Sequence, residues 1–160
     1  MSERATGSET THGTIHRHTS HQDQPSAGQL ISAVLGTTYV VVGLLGFLVT
    51  GSSDFTGHDP AHNIAGITVN PLHNVAHLLV GGLGVAAYAR PTFARAYGAL
   101  LLVAYGGLFV WGLLVAGEPN AMNLDTGANV LHGATALLGL LIALLPARHE
   151  ERADSAQGAR

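Results

Sequence analysis

Cysteine is absent from the 160-residue chain, and so is lysine. Without cysteine a disulfide scaffold, a zinc ribbon, an iron–sulfur protein and a thiol enzyme are all excluded. Charge is scarce too, at 11% of residues against roughly 25% in ordinary soluble domains. A soluble domain of this length would lack the polar surface it needs, so a conventional soluble globule is excluded. The formal net charge is −3 and no block of basic residues exists to hold phosphates, which removes nucleic acid as a partner. Every basic residue is an arginine: Arg4, Arg17, Arg90, Arg95, Arg148, Arg152 and Arg160. We read that preference as the coding bias of a GC-rich genome, not as a functional device.

What is present is apolar and segregated. Hydrophobic residues make up 47% of the chain, yet residues 1–29 are almost wholly polar. Four later segments meet the bilayer-crossing requirement of roughly 20 mainly apolar residues. They are residues 30–49, 70–88, 97–116 and 128–145. Backbone amides in lipid must be satisfied internally, and the segments are too long and too uniform for barrel strands, so they are expected to be helices. The fold class expected is all-α, a bundle of four transmembrane helices.

Arginine placement sets the expected topology. The N-terminal tail holds two, the short loop 89–96 holds two and the C-terminal tail holds three. Loops 50–69 and 117–127 hold none and carry Asp54, Asp59, Glu118 and Asp125. The positive-inside rule then places both termini and the short middle loop in the cytoplasm. No small-residue cleavage site follows a short apolar core, so the first span is expected to remain as an anchor. Residues 1–29 and 146–160 are expected to be disordered tails. His12, His16, His18 and His21 fall in the first tail; a His-rich tract can bind metal, but the favoured reading is a solvated low-complexity segment.

The two halves of the apolar region resemble each other. Aligning Tyr39 with Tyr105 pairs Gly46 with Gly112, Leu48 with Leu114, Val49 with Val115 and Gly51 with Gly117. Aligning Asn74 with Asn129 pairs Val75 with Val130, His77 with His132, Leu83 with Leu138 and Gly84 with Gly139, and sets Asn70 opposite Asp125. The expected architecture is therefore two parallel two-helix hairpin repeats about the membrane normal. Asn70 and Asp125 suit helix N-caps, and Pro71 sits where a first-turn proline is tolerated.

The run AGITVNPLHNVAHLLVGGLG, with a third span and an N-x-L-H fourth span, resembles an uncharacterised family of small four-span membrane proteins. The family is catalogued as domain of unknown function 4383 and is common in high-GC Gram-positive bacteria. The resemblance covers about residues 30–145 and is strongest over 69–84. It implies a fold and a location, and no activity. Members often carry an acidic residue directly before the Asn of the fourth helix; this chain has Ala128 there.

Ionisable residues inside a span are the place to look for function. Asn70, His73, Asn74 and His77 share one helix face, and Asn129 and His132 repeat part of it. Gly81, Gly84, Ala136 and Gly139 continue the two faces with small residues that allow close packing. The favoured reading is interhelical hydrogen bonding and capping, in a structural or accessory protein without catalytic activity. The alternative is a metal or haem site. His73, His77 and His132 would supply nitrogens, with His58, Asp59 and His62 from the loop sequence HDPAH, for zinc or copper; two facing imidazoles could hold haem iron. HNVAH lacks the glutamate of a zinc protease motif. A further alternative is a transporter or channel subunit, although the inner halves of the spans are apolar. Tyr39, Tyr105 and Trp111 are expected to pack, with the tyrosine hydroxyls bonded to neighbours. The span glycines follow no strand and form no phosphate loop. The partners expected are the lipid bilayer and, besides it, further copies of the chain or a larger membrane complex.

Overall fold

The computed structural model describes residues 24–115 and 118–146. Four helices carry the fold: α1 over Ala27–Thr50, α2 over Pro71–Ala87, α3 over Pro91–Leu114 and α4 over Thr126–Leu144. A two-stranded antiparallel hairpin, β1 over Asn63–Ile64 and β2 over Ile67–Thr68, lies between α1 and α2. The helices α1, α3 and α4 are long and apolar enough to cross a membrane, and this composition fits a membrane protein. The helix α2 has 17 residues, a rise of about 25 Å, which falls short of a hydrocarbon core of about 30 Å. The second expected span is thus the one that its own length does not establish. Histidines 12, 16, 18 and 21 lie outside the described residues.

Helix ends follow local chemistry. Asn70 and Asp125 cap α2 and α4 as expected: Asn70 Oδ1 accepts from the His73 amide at 2.9 Å, and Asp125 Oδ1 from the Ala128 amide at 2.7 Å. The first tail ends sooner than expected, because Ser26 and Gln29 form a reciprocal capping box that starts α1 at Ala27. The segment read as the loop 89–96 is also largely helical. Pro91 occupies the first turn of α3, where its missing N–H is no loss and its fixed φ suits the helix.

Each helix packs chiefly on its sequence neighbour, α1 on α2 and α3 on α4. Glycine permits the close approach. A Cβ on Gly36 would stand 2.7 Å from the Gly81 carbonyl oxygen, and one on Gly98 would stand 2.7 Å from that of Gly139. Leu101 and Ile142 are fully buried where the second pair meets, with Ala94 and Tyr97 beside them. Near the turn between α2 and α3, the Gln29 amide donates to the Tyr88 carbonyl at 2.6 Å, tying the start of α1 to the end of α2.

The opposite end holds the two longer loops, and polar side chains join them. Thr68 donates to Asp125 Oδ2 through its amide at 2.7 Å and its hydroxyl at 2.9 Å. Asn70 Nδ2 donates to the carbonyls of Ala121 at 2.8 Å and Gly57 at 3.3 Å. One set of bonds therefore holds the cap of α2, the cap of α4 and the hairpin together.

Candidate functional site

The Asn/His faces of α2 and α4 both turn inward. Asn70 and Asn74 are fully buried, and His73, His77, Asn129 and His132 are nearly so. Around them five rings form a closed circuit. Tyr39 stacks on His77 at a centroid distance of 5.1 Å and on Tyr105 at 5.5 Å. His77 meets His73 at 4.6 Å, His73 meets His132 at 5.9 Å, and His132 meets Tyr105 edge-on at 5.4 Å. All four helices contribute to this circuit. The Tyr39 and Thr135 hydroxyls, 2.6 Å apart, link α1 to α4 across it. Thr135 did not stand out in the sequence; its place three residues after His132, on the same face, was the available signal.

The two asparagines sit alike. Asn74 occupies the space in front of Gly46 where a Cβ would stand, and Asn129 does the same at Gly112. Asn74 Nδ2 donates to Thr50 Oγ1 at 3.0 Å.

The circuit forms the floor of a cavity of ≈ 400 Å³. Leu35, Thr38 and Val42 of α1 and Leu131, Ala134 and Leu138 of α4 wall it, and the hairpin roofs it with Ile64, Ala65 and Ile67. No Asp, Glu or Arg lines it. His73, His77 and His132 each have an Nδ1 that is buried and without a hydrogen-bond partner.

The loop residues proposed as further ligands do not join this group. His58 Nε2 is bonded to the Asn120 carbonyl at 2.7 Å, and Asp59 caps the Ala61 amide at 2.8 Å and lies 4.0 Å from His62. Among the described residues no group of three or more His, Cys, Asp or Glu is placed to hold a metal ion. The geometry therefore lends no support to zinc or copper held jointly by His73, His77 and His132, whose rings meet as packed neighbours. The 4.6 and 5.9 Å centroid contacts also leave no slot for a porphyrin between those pairs.

Asp125, the N-cap of α4, is the carboxylate that acts electrostatically on His73. Burial pushes its carboxyl up, but bonds from the Ala128 and Thr68 amides, the Thr68 hydroxyl and the Gly127 amide outweigh it and hold the group below the ordinary value.

The profile of the family described as Domain of unknown function (DUF4383) matches residues 29–145. The chain belongs to this family. The match runs from the third residue of α1 to the end of α4 and includes the hairpin. No curated protein and no solved structure matches the chain.

Proposed function

We propose that this DUF4383 protein spans the bacterial cytoplasmic membrane four times, with both termini inside, as a structural or accessory component without catalysis of its own. The Asn/His faces of α2 and α4 then serve to order a four-helix bundle built from two hairpin repeats. The observation that carries this reading is the seating of Asn74 on Gly46 and of Asn129 on Gly112, because both pairs align in the two halves of the sequence. The register is kept at this end and drifts by a turn at the other, where the strict alignment sets Ser32, not Gly36, opposite Gly98. The four-span reading is supported by the packing of α2 along α1. The shortness of α2 is offset at its start, which is bonded into the loops through Gly57 and Ala121.

An accessory role is favoured over a conducting pathway by how the polar groups are distributed. Beyond Thr135 the buried polar side chains of the helices thin to the Tyr97 hydroxyl and, at the far end, Ser32 and Gln29, with no carboxylate or histidine among them. The paired helices meet there chiefly through Gly36, Gly81, Gly98, Gly139, Leu101 and Ile142. Partners on this reading are the lipid bilayer and, through the exposed leucines and valines, further copies or a larger membrane complex, with no nucleic acid.

The absence of cysteine makes topology directly measurable. Single cysteines are placed at Thr56 and Glu118 in the loops and at Thr92 by the α2–α3 turn. A membrane-impermeant maleimide added to intact cells is expected to label the first two, and Thr92→Cys only after lysis. Labelling of all three in intact cells, or the reverse pattern, overturns the four-span topology.

A further inference from the structure

We propose that the cavity between α1 and α4 binds the headgroup of a lipid-soluble quinone or its quinol. This goes beyond the packing role above and does not depend on which side of the membrane the termini occupy. The cavity volume of ≈ 400 Å³ lies within the range of small-molecule sites and suits a bicyclic ring. The rim residues Thr38, Leu131, Ala134 and Leu138 are exposed along the helix flanks, so the mouth faces sideways, where lipid would be. A ligand reaching it from the bilayer need not cross water.

The lining selects among lipid-soluble molecules. With no arginine to pair with, a phosphate or carboxylate headgroup would enter uncompensated, which makes the ligand neutral. The floor of Tyr39, His77, Tyr105 and His132 offers ring faces and edges, the surroundings in which a planar aromatic guest packs well. The imidazoles add polarity of a particular kind. His73, His77 and His132 are only 3%, 9% and 4% exposed, and each has a nitrogen without a partner. A neutral imidazole has one nitrogen that donates and one that accepts, and it can exchange the two by changing tautomer. His73 also bonds the Met122 backbone, which fixes its tautomer, so His77 and His132 are the two that can make this exchange. Such a group serves a carbonyl oxygen, which only accepts, and equally a phenolic hydroxyl, which donates. The quinone and quinol forms of one ligand present these two states. Binding alone is proposed, with no electron transfer.

The test uses full-length protein purified in detergent and 2-methyl-1,4-naphthoquinone as the probe. This quinone attacks thiols and, more slowly, amines; the chain has neither cysteine nor lysine, which leaves the α-amino group, and probe that dialyses back out reports the reversible complex. The control is 2-methylnaphthalene, which has the same shape without carbonyls. Equilibrium dialysis is expected to give one saturable quinone site with affinity about tenfold above that of the hydrocarbon, the value of one net hydrogen bond. His77→Phe should bring the ratio close to one. Because that variant alters a buried face, Ala134→Trp is measured beside it: it fills the cavity from an exposed position and should abolish binding while thermal unfolding stays unchanged. Equal affinity for quinone and hydrocarbon, no saturable binding, or full binding by Ala134→Trp overturns the proposal.

Discussion

The Asn74 side chain stands over the Cα of Gly46, in the volume a methyl group would need, and from there donates to Thr50 at 3.0 Å. Asparagine and glycine are each unfavourable inside an apolar helix, one for its desolvation and the other for its backbone entropy. Together they become a joint, in which glycine makes the room and the buried amide finds a hydroxyl on the facing helix. Asn129 is likewise seated on Gly112 between α3 and α4, although the counterpart of Thr50 in that half is Ala116, which has no hydroxyl.

Filling that room should destabilise the protein. Gly46→Ala and Gly112→Ala are each expected to lower stability by about 1–3 kcal/mol, the usual penalty for overpacking a tight contact. Gly82 provides the opposite sign: it is exposed in mid-helix and an added Cβ meets nothing within 4 Å. Gly82→Ala should therefore gain about 0.5–1 kcal/mol from helix propensity. Unfolding in detergent by heat or denaturant compares the three. Equal transitions for Gly46→Ala and Gly82→Ala would show that Asn74 does not fix the α1–α2 distance.

Asp125 links two loops and caps α4, and its carboxyl is held below the ordinary value by four donated bonds. A depressed folded value means that the ionised group stabilises the fold. That stability is fully present above the unfolded value of about 3.9 and is lost as pH falls below it through the folded value. Asp125→Asn should lower stability at neutral pH by about 1 kcal/mol, since the amide cannot accept from Thr68 and Ala128 as well as a carboxylate. It should also flatten the loss of stability below about pH 4. A variant with the acid limb of the parent would assign that limb to another group.

Tyr39 and Thr135 provide a side-chain hydrogen bond between α1 and α4, at 2.6 Å. A double-mutant cycle with Tyr39→Phe and Thr135→Val isolates its contribution. The expected coupling is about 0.6 kcal/mol, the mean for interhelical hydrogen bonds measured in a membrane protein. Coupling indistinguishable from zero would leave Tyr39 held by its ring contacts and its hydrogen bond with Tyr105.

Much of this arrangement was legible in the sequence. The period of Asn70, His73, Asn74 and His77 placed them on one face, and their cost in lipid pointed that face inward, as found. Asn70 and Asp125 were readable as caps because their position before an apolar run gives a short acceptor side chain a defined partner. Contacts between distant segments were not readable. Nothing local tells Thr68 that it will meet Asp125, or Gln29 that it will meet Tyr88. Arg90, Pro91 and Arg95 suggested a loop, since charge and proline usually mark one, yet Pro91 starts α3. The hairpin escaped notice because its turn, Ala65–Gly66, lacks the usual asparagine or aspartate.

That turn yields the last prediction. Ala65 has φ of 51° and Gly66 φ of 89°, the pair of positive angles a two-residue hairpin turn uses. Alanine is poorly suited to the left-handed region, whereas asparagine enters it with less strain. Ala65→Asn should therefore stabilise the hairpin by about 0.5–1 kcal/mol. Gly66→Ala should weaken it by at least as much, although the space beside Gly66 is open: the penalty comes from the backbone angle and not from a clash. The hairpin roofs the cavity and its Thr68 holds Asp125, so the effect should reach beyond the turn. Hydrogen exchange of the Val69 amide, bonded to the His62 carbonyl at 2.9 Å beside the hairpin, reads it directly. Slower exchange is expected in Ala65→Asn and faster exchange in Gly66→Ala. The same order in both variants would mean that the turn geometry does not govern the roof.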